Sequence, residues 1–203
     1  MKNEHTTTIL EEVKSWVKLL VISVVIAVFI NHCIIVNATI PSGSMENTLQ
    51  PGDRVLASRF SYAASKPQRG DIVIFKYPVD DALGKGTLYI KRIIGLPGET
   101  VEIKNAKIYI NHSSQPLDEP YLKEEWKIEN DGYTFQVPEG SYFMMGDNRN
   151  SSLDSRYWAE QAVLAGIAAN SEDAQQYSFV PEGKILGEAG LKYWPINEAA
   201  VLK

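Results

Sequence analysis

The sequence predicts a mainly β protein: an antiparallel β-sheet domain with a small accessory β lobe, preceded by one N-terminal transmembrane helix. Two observations lead to this fold class. After residue 38 the chain consists of short apolar stretches separated by turn signals such as Pro51-Gly52-Asp53, which is typical of antiparallel strands. Before residue 38 the apolar residues are concentrated in one run, which is typical of a helix that contacts lipid.

The apolar run has two interpretations. Residues 17–36 form an apolar window whose centre, residues 19–30, contains a single polar residue, Ser23. One interpretation is a retained anchor, with Lys18 reaching the membrane surface. The other is a cleavable signal peptide, because residues 36–38 (Val-Asn-Ala) satisfy the small-residue rule of a cleavage site.

The distribution of basic residues predicts the orientation of the run. Lysines precede it in residues 1–18, whereas residues 37–53 contain neither Lys nor Arg. The positive-inside rule therefore places the N-terminus in the cytoplasm. We divide the chain into a cytoplasmic segment, residues 1–16, an anchor, residues 17–36, and an extracytoplasmic domain, residues 37–203.

The rest of the chain is predicted to form strands and turns, with one short helix. The predicted strands are residues 54–58, 72–77, 88–94, 100–103, 107–110, 133–137 and 142–145. Residues 104–132 are polar and turn-rich around a hairpin at Asn105-Ala106-Lys107, and could form the accessory lobe. Residues 159–169 suit a helix by propensity, and residues 170–176 suit a loop.

The composition excludes several classes of function. The chain has 203 residues, of which 44% are hydrophobic and 22% charged, so wholesale disorder is excluded. The net charge is −5 and no Lys/Arg-rich run is present, so we expect no nucleic-acid partner. The single cysteine, Cys33, excludes an intramolecular disulfide. The histidines, His5, His32 and His112, are scattered, so we expect no metal.

A Ser-Gly-Ser motif at Ser42 and Ser44 directly follows the apolar run. Most such motifs are turns. If one serine is a nucleophile, it needs a base, and the scattered histidines support a Ser–His–Asp triad poorly. Lysine is the remaining base. Its free pKa of ~10.4 would have to fall by roughly two to three units, which desolvation by apolar neighbours can achieve.

Lys91 has the required apolar setting, because it lies in the predicted strand 88–94. Neighbouring side chains of a strand point to opposite faces, so Lys91 and Arg92 diverge. A lysine in a strand is more often an exposed residue of an edge strand than a buried base. A third cluster, residues 146–158, is dense in hydroxyls, carboxylates and guanidinium groups. It is either a solvated loop or a set of groups that orients a lysine.

Taken together, these clusters resemble the type I signal peptidases of bacteria, in particular the short single-anchor members typical of Gram-positive species. The motifs that carry the resemblance are residues 40–45, 48–49, 52–53, 70–78, 89–99, 146–149 and 152–158. Residues 179–182 and 194–195 resemble the family weakly. The resemblance favours a retained anchor over a cleavable signal peptide.

The resemblance implies a serine endopeptidase that removes signal peptides from exported preproteins after small residues at −1 and −3. Ser44 aligns with the nucleophile and Lys91 with a neutral general base. Ser42 would donate its hydroxyl to the oxyanion hole beside the Ser44 N–H. Three further groups would support the dyad: Ser152 bonded to Lys91, an Asp154–Arg156 pair and an Asp147–Arg92 pair. The apolar substrate pockets would be lined by Ile40, Met45, Leu49, Val55, Ile74, Tyr89 and Ile90.

The implied partners are secretory preproteins and the lipid bilayer of the bacterial cell membrane, with no metal and no cofactor, and we expect a monomer. The chain departs from the family pattern at Ala159, at Asn150-Ser151 and by an insertion over residues 160–177. The insertion contains two small-residue sequences ending at Ala165 and Ala169. We therefore add the hypothesis of self-cleavage at these positions.

Four alternative functions fit the sequence less well. A self-cleaving Ser–Lys regulator would need a DNA-binding or cytosolic partner segment. A β-lactamase-like acylase would need Ser-x-x-Lys, and the match at residues 15–18 lacks the accompanying motifs. A secreted or anchored β-rich binding module would have no use for Ser44, Lys91 and residues 152–156 together. An inactive paralogue would lack a dyad residue, and neither is missing.

Overall fold

The structure is a computed structural model that describes residues 3–127 and 131–202. The side chains of residues 3–8 and of residue 32, which include two of the three histidines, lie outside this description. The chain divides into two compact units, Met1–Ile35 and Val36–Lys203.

The first unit is helical. Helix α1 covers Asn3–Phe29, and a π-helix follows over Ile30–Ile34. The apolar side chains of its second half are exposed on all sides of the helix, Leu20, Val25 and Phe29 among them. The predicted anchor, residues 17–36, overlaps α1 and the π-helix that follows it, and its transmembrane placement stays a prediction. Within the described residues, no helix combines the length and apolarity needed to cross a membrane.

The second unit is mainly antiparallel β, which confirms the predicted fold class of this part of the chain. Its strands are β1 (Ile35–Thr39), β2 (Arg54–Ser58), β3 (Ile72–Lys76), β4 (Leu88–Gly95), β5 (Thr100–Lys104), β6 (Lys107–Ile110), β7 (Thr134–Gln136), β8 (Ser141–Met145), β9 (Val180–Pro181), β10 (Ile185–Trp194) and β11 (Ala200–Val201). The main sheet has the order β1-β2-β10-β3-β4-β8-β9, with β11 paired to β10. Each of the seven predicted strands is present, within two residues at either end.

Strand β10 is the largest departure from the predicted elements, because the sequence pattern predicts no strand over residues 185–194. It pairs antiparallel with both β2 and β3. Gly187 explains part of the difference: a Cβ there would lie 2.2 Å from the carbonyl oxygen of Ser58 on β2. Close approach of two backbones requires glycine, and glycine weakens the strand signal in the sequence.

A second, three-stranded sheet with the order β6-β5-β7 overlaps the predicted accessory segment. Strands β5 and β6 are joined by a two-residue turn at Asn105 and Ala106, whose φ angles are 49° and 55°. Two positive φ angles in succession define the type I′ turn that matches the twist of a hairpin. The hairpin predicted at this position is therefore present.

The helices of the second unit are short: α2 (Pro78–Ala82), α3 (Trp158–Leu164) and α4 (Ser171–Ala174). The helix predicted over residues 159–169 ends early, because Gly166 has a φ of 71° that a helix cannot contain. The predicted loop over residues 170–176 contains α4, whose first turn is capped by Asn170 accepting from the Asp173 N–H. Ala165 and Ala169 are both exposed, and self-cleavage after them stays a prediction.

Three buried clusters form the core and fix the strands that carry the site. One surrounds Trp158, Tyr142 and Phe75. A second contains Met45, Leu49 and Ile74, and a third contains Ile94, Phe143 and Trp126. Strand β3 contributes alternate residues to the first two clusters, so it is buried on both faces. Its neighbour β4 is thereby held in a low-dielectric setting.

Candidate functional site

The Ser-Gly-Ser motif follows β1 and enters a tight turn. Ser42 is extended, and Gly43–Met45 form one turn of 3₁₀-helix. The turn is anchored by the fully buried side chains of Met45 and Leu49. As a result the Ser44 hydroxyl is held at the edge of the second core cluster rather than on a mobile loop.

The structure brings Lys91 to Ser44, although the two are 47 residues apart in sequence. In strand β4, Lys91 lies opposite Val73 of β3. Its Nζ lies 2.7 Å from the Ser44 Oγ and donates to the carbonyl oxygen of Ile90 at 2.9 Å. This is the distance that a base needs to take a proton from a nucleophilic hydroxyl.

Burial changes the protonation of Lys91. Desolvation lowers its pKa to about 8, and the charges of Asp154 and Asp147 offset part of that effect. Within the described residues no carboxylate lies within ion-pair distance of its Nζ. A substantial fraction of Lys91 is therefore neutral near pH 8, as a general base must be.

Behind Lys91, Asp154 and Arg156 form the predicted ion pair. Arg156 donates from Nε and Nη2 to the two carboxylate oxygens at 2.8 and 2.9 Å, and both side chains are buried. The Gly146 N–H also donates to Asp154, at 3.1 Å. Burial alone would raise the pKa of Asp154, but the pair with Arg156 and these hydrogen bonds lower it. Asp154 thus stays a carboxylate.

Asp147 and Arg92 form the second predicted pair. Arg92 donates from Nε and Nη2 to Asp147 at 2.9 and 2.8 Å, and again both side chains are buried. The third Arg92 nitrogen donates to the Gly70 carbonyl at 2.7 Å. Arg92 points away from Lys91, as the alternation of side chains along β4 requires.

Ser152 differs from its prediction, because its hydroxyl makes no hydrogen bond to Lys91. The Oγ is buried and has no partner of ordinary hydrogen-bond geometry within the described residues. It lies against the Cα of Gly146, where an added Cβ would come within 2.3 Å of it. On that side it is close enough to Asp154 to contribute to the lowered pKa of that carboxyl.

A cleft of about 600 Å³ opens in front of the Ser44–Lys91 pair. The predicted pocket residues Ile40, Ile74, Tyr89 and Ile90 line it, together with Ser42 and Lys91. Three other predicted pocket residues do not: Met45, Leu49 and Val55 are fully buried in the core beneath the cleft. Their apolar character serves packing rather than the cleft surface.

Two residues of the site had no predicted role. Leu153 lines the cleft from the loop that also carries Asp154. Arg149 is buried and donates from Nε to the Gly146 carbonyl at 3.1 Å. In the sequence both lie inside the polar cluster of residues 146–158, where nothing distinguishes a cleft-lining side chain from its neighbours. Within the part of the chain that the structure describes, no group of His, Cys, Asp and Glu side chains is arranged to hold a metal ion.

Comparison with known proteins identifies related chains over most of the length. The family model described as "Signal peptidase, peptidase S26" matches residues 13–194. A probable signal peptidase I-2 from Synechocystis is 36% identical over 187 residues, which cover 91% of this chain and 75% of that protein. The signal peptidase I of Bacillus licheniformis is 37% identical over 193 residues, covering 91% of this chain and 98% of its own. A crystal structure of a signal peptidase I from Enterococcus faecalis, 33% identical, covers 61% of this chain and 97% of its own with a TM-score of 0.43.

Proposed function

The chain belongs to the signal peptidase family, peptidase S26, as a serine endopeptidase that cleaves signal peptides, and we propose that it does so with a dyad of Ser44 and Lys91. One observation carries the proposal: the Lys91 Nζ lies 2.7 Å from the Ser44 Oγ. Burial holds the pKa of Lys91 at about 8, so the amine can accept the serine proton.

The acylation step follows from this geometry. The Ser44 Oγ attacks the carbonyl carbon of the last signal-peptide residue while neutral Lys91 takes its proton. The backbone N–H of Ser44 and the hydroxyl of Ser42 would donate to the oxyanion that forms. The C–N bond then breaks, and the Lys91 ammonium returns the proton to the departing amine. The products are the free mature N-terminus and an ester between the signal peptide and Ser44.

In deacylation, water is the nucleophile and the Ser44 oxygen is the leaving group. Neutral Lys91 takes a proton from a water molecule that attacks the ester carbonyl. The Ser44 oxygen leaves and receives that proton from Lys91, and the signal peptide departs with a free carboxylate. A single lysine can serve both steps because its ammonium and amine forms interconvert near neutral pH.

We propose that the cleft selects small residues at −1 and −3 of the signal peptide. In an extended peptide, alternate side chains point to the same side, so residues −1 and −3 face the cleft together. The cleft wall contains the branched apolar side chains of Ile40, Ile74 and Ile90. These side chains favour contact with small apolar residues of the signal peptide.

We also propose that the protein works at a bacterial cell membrane, with the catalytic unit outside the cytoplasm. The supporting observation is the second half of α1, where apolar side chains are exposed all round the helix. Between residues 19 and 29 the one polar side chain is that of Ser23, whose hydroxyl donates to the Leu19 carbonyl within the helix at 2.9 Å. A helix that is apolar on every side requires an apolar environment.

The test uses the full chain in detergent with lipid and a preprotein that carries Ala-x-Ala before its mature start. Mass spectrometry of the new N-terminus is expected to show cleavage after the second Ala. Ser44→Ala should abolish this cleavage, whereas Thr39→Ser, a conservative change in the cleft wall, should retain it. If folded wild-type protein leaves several preproteins intact, the chain is an inactive paralogue or a binding module.

A further inference from the structure

Residues 119–126, here called the clamp segment, lie against three buried arginines of the site. These arginines are Arg92, Arg149 and Arg156. The clamp segment contacts each of them with a different side chain: Tyr121, Glu119 and Trp126. It follows the accessory hairpin in sequence and lines no part of the cleft.

Glu119 pairs with Arg149 through both carboxylate oxygens. Arg149 donates from Nη1 at 3.0 Å and from Nη2 to the other oxygen, and both side chains are almost completely buried. Burial would lower the pKa of Arg149, but Glu119 and its hydrogen bonds raise it. Because a buried guanidinium without a carboxylate is costly, Glu119 fixes where Arg149 can lie.

Trp126 joins two of the arginines. The guanidinium carbons of Arg149 and Arg156 lie 5.2 and 5.4 Å from the centroid of its ring. The ring is buried in the third core cluster. One rigid aromatic side chain therefore sets the spacing between the arginine that binds Glu119 and the arginine that binds Asp154.

The nucleophile turn is tied to the same segment. The side-chain amide of Asn47 donates to the Tyr121 carbonyl at 3.1 Å, and Lys123 forms an ion pair with Glu46. The Tyr121 ring lies 4.0 Å from the guanidinium carbon of Arg92. The clamp segment thus contacts both the turn that carries Ser44 and the arginine beside Lys91 in sequence.

A short path of hydrogen bonds leads from Arg149 to the dyad. The Arg149 Nε donates to the Gly146 carbonyl at 3.1 Å, and the Gly146 N–H donates to Asp154 at 3.1 Å. The Asn148 N–H donates to the carbonyl of Ser44 at 3.1 Å. A displacement of Arg149 would therefore move the backbone that holds Ser44. It would also move Asp154, whose charge has the larger effect of the two carboxylates on the pKa of Lys91.

We propose that the clamp segment positions the catalytic dyad, with Glu119 and Trp126 as positioning residues that act through Arg149 and Arg156. The proposal rests on the proposed dyad of Ser44 and Lys91. It gives the accessory lobe a role in the reaction rate rather than in substrate binding, since the clamp segment does not line the cleft.

The first test is Glu119→Gln in the full chain, assayed on the Ala-x-Ala preprotein. Gln has the same size and still accepts a hydrogen bond, but it leaves the Arg149 charge unmatched. We expect kcat to fall by about 10- to 100-fold, with KM changed by less than about twofold, because misplacement of catalytic groups by about 1 Å has effects of that size. An unchanged kcat in a folded variant would overturn the proposal.

The second test separates positioning from general stability. Trp126→Leu removes the ring and should lower kcat, whereas Trp126→Phe keeps a ring and should restore most of it. The matched control is Phe135→Leu, a partly buried aromatic that packs against the same core cluster, with its ring centroid 4.5 Å from that of Phe143. If Phe135→Leu lowers kcat as much as Trp126→Leu at an equal loss of melting temperature, the role is structural and the proposal fails.

A third readout keeps the two proposals apart. If the wild-type chain does not cleave the preprotein, the proposed dyad fails, and amide hydrogen exchange still tests the clamp. Glu119→Gln should then speed exchange over residues 146–156 and leave residues 72–76 unchanged. If the wild type cleaves and Glu119→Gln neither lowers kcat nor speeds this exchange, only the clamp proposal is wrong.

Discussion

Two neighbouring regions of the molecule, the Lys91 side chain and the three arginine–carboxylate pairs, bury cations to a similar extent but give them different partners. Lys91 is 4% exposed, while Arg92, Arg149 and Arg156 are 2%, 4% and 5% exposed. Each arginine faces a carboxylate through two hydrogen bonds. Lys91 instead faces a hydroxyl and a backbone carbonyl.

The difference shows that the partner, and not burial itself, decides what a buried cation does. Desolvation lowers the pKa of Lys91 to about 8 because the carboxylates of Asp154 and Asp147 act on it only from a distance. Those carboxylates are already engaged by arginines, whose charge is permanent and whose planar fork fits two oxygens. The arginine pairs therefore build a fixed scaffold, and the lysine beside it is free to exchange a proton.

The largest expected effect comes from exchanging one kind of cation for the other. Lys91→Arg keeps the charge but cannot lose a proton near neutral pH, so it should reduce cleavage by about 10⁴-fold or more, as loss of a catalytic base does in serine proteases. Lys91→Met should do the same. Initial rates on the Ala-x-Ala preprotein, beside Ser44→Ala as the inactive reference, measure this.

The matched control is a cation on another strand of the sheet. Arg54→Lys changes an exposed cation of β2 and should leave the rate unchanged. Retained activity in Lys91→Arg would mean that the amine acts only as a charge, and the contrast between the two regions would then have no catalytic meaning.

The next effect concerns stability and the arginine scaffold. Asp154→Asn leaves the buried Arg156 facing a neutral amide, whose single oxygen can accept only one of the two hydrogen bonds. Loss of one partner of a buried ion pair costs about 3–5 kcal/mol of unfolding free energy. Guanidinium denaturation of the full chain measures the loss. Asp81→Asn is the control, since Asp81 pairs with the half-exposed Lys184 and its loss should not be measurable. A similar stability of both variants would contradict the scaffold role.

The sequence is sufficient to predict the fold class and most strands because their signals are local. Turn residues and short apolar stretches identify β2 to β8, and the alternation along β4 separates Lys91 from Arg92. Strand β10 escapes prediction in part because Gly187 allows close contact with β2 but has a low strand propensity.

The site is predictable where a motif carries both partners, as in Asp154 and Arg156, two residues apart. Distant partners such as Ser44 and Lys91 are predictable only through the family resemblance, and a distant partner outside the resembling motifs is not predictable. Glu119 is 30 residues from Arg149, and its polar surroundings in sequence resemble those of any solvated loop. The orientation of Ser152 is decided by the packing of its side chain against Gly146, which only the folded chain defines.

The pH dependence of cleavage sharpens the comparison, because it reports on the protonation of Lys91. Only neutral Lys91 accepts the serine proton, so kcat/KM should fall as pH falls through about 8, the value to which burial lowers the pKa of Lys91. The slope should approach about tenfold per pH unit for a single base. A rate that stays flat from about pH 9 to about pH 5 would contradict a base of this kind.

Stability should follow a different part of the pH scale. The pKa of Asp154 is lowered in the folded state, so its pair stabilises the fold above the unfolded value of about 4 and is lost only as pH falls below it. Circular dichroism of the full chain should therefore remain native where activity is already lost. Unfolding that coincides with the loss of activity would mean that the pH profile reports structure rather than Lys91.

The smallest expected effect on cleavage comes from Leu153, which lies between the cleft and the Asp154–Arg156 pair. Its backbone joins Ser152 to Asp154, while its side chain lines the cleft. Leu153→Ala removes apolar contact with the substrate but leaves the ion pairs, so KM should rise by about tenfold at most, with kcat little changed. Leu164→Ala, an exposed leucine at the end of α3 that is no part of the cleft, is the control. A fall in kcat with unchanged KM would mean instead that this side chain helps to hold Asp154, and that the scaffold extends into the cleft itself.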